Sequence, residues 1–207
     1  MIQSHLMTKE DFIATAYRYF PQSIHSILDI ELYMTTPEFT RLANLCGLME
    51  RRQEEGEFND FYYEIKSLNN PDNFRVVQRF SANDRCHNLH FVERRGTILH
   101  SLCLNVSTVV PYYTTYVTEW DIKEKLQDPP DPFRMTSNYP KKALIVNEED
   151  KAVLDKMAKV AENTFGCKPF PEDLLTEIIP DVNIETIKMG EFTLFNAFFL
   201  DDYHVFP

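Results

Sequence analysis

Glycine is scarce in this chain, with five residues among 207, so there is little material for a phosphate-cradling loop. Neither G-x-x-x-x-G-K-[ST] nor G-x-G-x-x-G occurs, and H-E-x-x-H and G-x-S-x-G are missing as well. The sequence therefore gives no ground for expecting a cofactor or a metal. Cysteines 46, 86, 103 and 167 include no C-x-x-C pair, and the expectation is reduced, buried thiols. No apolar run approaches the roughly 20 residues of a membrane-spanning helix. The first residues, MIQSHLMTKEDF, lack the basic start and apolar core of a secretory signal, so the cytoplasm is the expected location. Repeats and low-complexity segments are lacking too, and a single domain over residues 1–207 is expected.

Positive charge is also in short supply. The net charge is −11. Residues 1–106 hold 11 Lys and Arg against 14 Asp and Glu, and residues 107–207 hold 10 against 18. Such a surface repels a phosphate backbone, which argues against nucleic acid as a direct ligand. It serves solubility, or it steers the chain toward a basic partner.

What is abundant is apolar and aromatic side chains, with 16 Phe, 10 Tyr and 43% hydrophobic residues, enough for a sizeable core. Thr8 caps a first helix carrying Phe12, Ala16, Tyr19 and Phe20 on one face, and Pro21 ends it. After the apolar run SIHSILDIELYM, Thr36 and Pro37 open a helix with Leu42, Leu45 and Met49 at helical spacing, stopping near Gly56. From about residue 58 to 120 the chain is rich in β-branched and aromatic residues, which predicts an antiparallel meander of four or five strands. Pro111 cannot donate to a ladder, so it marks a strand end, a bulge or an edge. An edge there, or at the C-terminus, leaves a homodimer open. QDPPDPFRMTSNYP is an irregular connection across the domain. Asn147 caps a helix over about 147–164, closed by Gly166, and FPEDLLTEII reads as a short helix with helix-start acids Glu172, Asp173 and Glu177. The tail, NIETIKMGEFTLFNAFFLDDYHVF, returns to strand character. Strands in consecutive blocks define an α+β fold with a mainly antiparallel sheet.

Two stretches carry candidate chemistry. The first, CHNLHFVERRGTILHSLC, holds three of the six histidines. A three-residue loop, Arg94–Arg95–Gly96, places only Gly96 at positive φ. Counting outward, His90 then faces His100 and Asn88 faces Leu102 on one sheet face, with His87 opposite Cys103 on the other. A His90–His100 pair beside Asn88 is half a zinc site, and no nearby carboxylate completes the ligand set. It suits a buried hydrogen-bonded pair, or an acid–base pair in a pocket between sheet and helices.

The second stretch crowds Tyr112, Tyr113, Tyr116 and Trp120 beside Glu119, Asp121, Asp128 and Asp131, and the tail repeats the combination in Asp201, Asp202 and Tyr203. Either these aromatics pack inward, or some form rigid anchors inside an acidic rim, the composition of a protein-binding patch. Small, acidic, motif-poor chains include bacterial immunity proteins, and by this analogy of composition alone the expected function is occlusion of a basic protein such as a toxin. The other expectation is an enzyme or small-molecule binder using His90 and His100.

Overall fold

The computed structural model describes residues 6–76, 85–121 and 146–201, and within these the backbone alone of Trp120 and Asp121. The Asp128, Asp131, Asp202 and Tyr203 expectations, and the proline-rich connection, lie outside the described residues.

Helix α1, Lys9–Ala16, starts where its cap requires: Thr8 Oγ1 accepts from Asp11 N at 3.2 Å while Thr8 N donates to Asp11 Oδ2 at 2.9 Å. Helix α2, Ile30–Thr35, leads through the Thr36 cap and Pro37 into α3, Pro37–Glu54, which buries Leu42, Cys46 and Met49. Helix α4, Asn59–Lys66, occupies a stretch whose aromatics predict a strand. Its Phe61 and Ile65 are one helical turn apart and both buried, and that 3.6-residue period outweighs the β-propensity of Phe and Tyr.

The sheet therefore begins only at β1, Phe74–Val76, and continues through β2, Cys86–Arg95, β3, Ile98–Ser107, and β4, Tyr112–Asp121. These pair antiparallel in chain order, and β5, Lys168–Pro169, adds in parallel to the start of β4. The edge beside Pro111 is thus covered: Lys168 N donates to Pro111 O at 3.1 Å and Phe170 N to Tyr113 O at 2.8 Å. Helix α5, Glu148–Phe165, begins at the Asn147 cap and ends at Gly166 with φ 64°.

The tail departs from the strand expectation. Within the described residues it forms isolated bridges, Ile178 with Thr193 and Ile184 with Ile187, and a short helix α6, Leu194–Phe198. Thr193 and Asn196 make a capping box there, a local signal for a helix start inside a run that is buried on every side. Likewise FPEDLLTEII supplies only a 3₁₀ turn, Glu172–Leu174.

Helices cover both faces of the sheet. Leu89, Phe91, Leu102, Leu104, Val106 and Val117 pack against Phe61 and Ile65 of α4 and Leu154, Met157 and Ala161 of α5. On the other face Cys86, Cys103, Tyr112 and Tyr116 join Phe12 of α1 and the Phe192–Leu200 segment. The fold is α+β with a mostly antiparallel five-stranded sheet.

Candidate functional site

The β2–β3 turn decides which side chains meet. Arg95 pairs with Ile98, leaving a two-residue loop of Gly96 and Thr97. Gly96 has φ 67° and Thr97 is not at positive φ, so glycine stands at the first central position, the place a type II′ hairpin demands. The expected three-residue loop is therefore corrected, and with it the register. His90 faces Cys103, Asn88 faces Asn105, His87 faces Val106, and His100 faces Glu93. His90 and His100 lie on opposite sheet faces and form no pair, because the expected register was odd relative to the real one.

On its own face His100 is flanked across the strands by Glu93 of β2 and Glu119 of β4. Its Nδ1 lies 2.8 Å from Glu119 Oε1 and its Nε2 lies 3.0 Å from Asp150 Oδ2. Asp150 is buried in the first turn of α5. Its backbone N–H donates to the Asn147 cap, and the Asn147 amide donates to its Oδ2 at 2.7 Å. The imidazole thus ties the start of α5 to the sheet, and its two ring nitrogens each meet a carboxylate. A polar cleft of about 210 Å³ opens beside it, with Arg95, Glu93 and Glu149 in its walls.

His90 sits in a different chain of contacts. Its Nε2 donates to Asn88 Oδ1 at 2.6 Å, which leaves Nδ1 to accept from Ser101 Oγ at 2.9 Å, with Cys103 Sγ 3.3 Å from the same nitrogen. Ser–His–Asn connectivity resembles a nucleophilic relay, yet all three side chains are at most 1% exposed. Burial also pushes the Cys103 thiol up to about 12, so it stays protonated and non-nucleophilic. The network satisfies polar groups under the sheet. His87, stacked on Phe165 at 5.2 Å with its Nδ1 3.0 Å from Tyr62 Oη, is held neutral: burial, then the charge of Arg52, lowers it to about 3.

The expected aromatic anchors are core residues. Tyr112 packs edge-on to Phe12 and Phe170, Tyr113 donates to Glu162 at 3.0 Å, and Tyr116 accepts from Asn105 and meets Phe195. All three are buried, so none presents an aromatic face to a partner. The side chains of Trp120 and Asp121 lie outside the described residues. Glu119 remains partly exposed but is engaged by His100, and Asp201 pairs with the buried Arg85 at 2.8 Å and accepts from Thr186 at 2.8 Å. Of the expected steering charges that are described, neither is a bare surface carboxylate.

The large exposed apolar surface lies elsewhere. Ile27, Leu28, Ile30, Leu32 and Met34 are each between 52% and 79% exposed, five large apolar side chains in eight residues. Scattered exposed apolar residues are ordinary, whereas contiguous ones mark contact surfaces. The segment is fixed from beneath. Asn183, itself buried, accepts from Ser26 N and donates to Ile24 O, both at 2.8 Å, while the buried Tyr33 hydroxyl donates to Asn183 O at 3.3 Å. His25 Nδ1 accepts from the backbone N–H of Ile27 and Leu28 at 3.3 Å. Between Arg18 and Arg41 the chain has no Lys or Arg and three carboxylates, Asp29, Glu31 and Glu38. The signal was in the spacing: Ile30, Leu32 and Met34 are two residues apart, about 200° on a helix, so one buried face cannot take them all.

Two other features bear on chemistry. A cleft of about 620 Å³ lies between β4, α5 and residues 169–176, with Lys151 and Asp155 paired in its wall. Among the described residues, no three His, Cys, Asp or Glu side chains converge as metal ligands, and no helix is long and apolar enough to cross a membrane. The chain matches no family model, no curated protein and no solved structure.

Proposed function

We propose that the chain is an acidic protein-binding domain that covers a basic partner through the α2 surface, acting by occlusion and without chemistry of its own. The observation that carries this is the cluster of exposed apolar side chains at Ile27, Leu28, Ile30, Leu32 and Met34, in a segment tied down by Asn183 whose own charged residues from 19 to 40 are Asp29, Glu31 and Glu38. A pre-ordered apolar segment binds without the entropic cost of ordering a loop. The carboxylates within the segment, in a chain of net charge −11, favour a partner whose apolar contact is ringed by Lys and Arg. An immunity-type inhibitor of a toxin is one form of this reading, and the cytoplasm, where the four cysteines would remain thiols, is its setting.

The test is comparative capture from native lysate at low salt, with the chain and with a Leu28→Asp/Leu32→Asp variant. Both side chains are more than half exposed, so the variant should keep its fold and melting temperature. A stoichiometric basic protein held by the parent chain, released as salt rises and lost in the variant supports the reading. A partner retained equally by the variant refutes it, and self-association lost in the variant would replace the partner by a second copy.

A further inference from the structure

The cleft beside His100 is strongly unbalanced in charge. The row Glu93–His100–Glu119 runs across three adjacent strands, Asp150 closes it from α5, and three carboxylates, Glu93, Glu149 and Asp150, line the cleft itself. Among the described residues that line the cleft, one guanidinium stands against these, Arg95, whose Nε is 2.8 Å from Glu93 Oε2 and whose NH2 lies 3.8 Å from Asp150 Oδ1. Asparagines 69, 70 and 73 complete the polar wall. The volume, about 210 Å³, falls below the roughly 300–1,000 Å³ of small-molecule pockets and suits one side-chain-sized group.

We propose that this cleft binds a guanidinium group, and that Arg95, nearly half exposed, occupies its mouth as an internal substitute. A planar fork of donors matches two carboxylates at once, which a point-like ammonium does not. The longer Arg95–Asp150 separation, beyond hydrogen-bond reach, leaves Asp150 Oδ1 available to a better-placed donor. Asp150 is held by Asn147 and His100, and both are positioning residues for it. The guanidinium has two sources, a free small molecule or an arginine of a protein. This inference stands apart from the α2 surface.

The experiment is an NMR titration of the whole chain with agmatine, with an N-acetyl-arginine-amide peptide, and with the neutral isostere N-acetyl-citrulline amide. The expected result is saturable shifts at Glu93, His100 and Asp150 with the guanidinium probes and none with citrulline. Agmatine alone sufficing marks a small-molecule site, and saturation by the peptide alone marks a protein side chain. Arg95→Gln removes the internal occupant and should tighten binding several-fold, while Glu93→Gln, on a half-exposed side chain, should weaken it about tenfold. Equal shifts with citrulline, no saturation with either guanidinium probe, or unchanged affinity in Arg95→Gln would overturn the proposal. The Leu28→Asp/Leu32→Asp variant should titrate like the parent, so failure of the α2 reading and failure of this one are separable.

Discussion

Replacing Asp201 with Ala should destabilise the fold by about 3 kcal/mol, because it strands a buried cation. Arg85 is 1% exposed, its guanidinium 5.6 Å from the centre of the Phe20 ring and its NH2 2.8 Å from Asp201 Oδ1. Coulomb's law at that separation, with an effective dielectric constant of 20, gives about 6 kcal/mol of gross attraction. Desolvation offsets part of it, and breaking such a pair costs about 3–5 kcal/mol as a rule. Asp201 is one-fifth exposed, so water reaches the Arg85 site after truncation and the lower end applies. At roughly 2–4 °C per kcal/mol for a chain of this size, the melting temperature should fall by about 6–12 °C. Urea titration should show a lower midpoint at unchanged slope. The loss should persist at high salt, since a buried pair is poorly screened. The double variant Arg85→Met/Asp201→Leu should recover most of the stability, because apolar replacements remove both the charge and its need for a partner. A loss below about 1 kcal/mol in the single variant, or a double variant worse than the single, would refute the reasoning.

Two further outcomes are expected. His87 is neutral in the fold at about 3 against its ordinary 6.5, so the unfolded chain takes up its proton first as pH falls. The stability His87 contributes is complete above about pH 6.5 and is lost as pH drops toward 3, so from pH 6.5 to 5 the parent should lose about 2 kcal/mol more than His87→Phe in urea titrations. Equal losses would show that the ring is not what titrates. Asn183→Ala should cost about 1–3 kcal/mol by leaving Ser26 N–H and Ile24 C=O without their partner. Hydrogen exchange should then quicken across residues 24–35, with partner capture weakened; unchanged exchange there would mean that Asn183 does not hold the segment.

The parts of the fold legible in the sequence are those with local causes. Thr8, Thr36 and Asn147 cap the helices they were expected to cap, and the β-branched and aromatic runs of β2, β3 and β4 pair as an antiparallel meander. Expectation failed where propensity and period disagreed. Residues 59–66 are aromatic like a strand but buried at one-turn spacing like a helix, and tertiary packing followed the spacing. Over residues 192–200 every apolar side chain is buried, so hydrophobicity carried no period there, and the Thr193 cap was the local signal.

The candidate site was less legible because its contacts depend on register and on distant segments. Moving the β2–β3 loop from Arg94–Gly96 to Gly96–Thr97 changes every cross-strand pair by three residues, an odd number, and so sends His90 and His100 to opposite faces. The same move sets His100 between Glu93 and Glu119, a row no single-strand pattern displays. Asp150 arrives from 50 residues away, and Asn183 reaches Ser26 across 157, distances at which spacing has no meaning. The aromatics of β4 looked like surface anchors because they sit among carboxylates. Alternation explains why they are not: with α1 and α6 on one face and α4 and α5 on the other, a strand covered on both sides buries both of its side-chain sets. By that logic an exposed apolar surface has to lie off the sheet, on a short helix too narrow to bury its own circumference, and α2 is where the structure puts it.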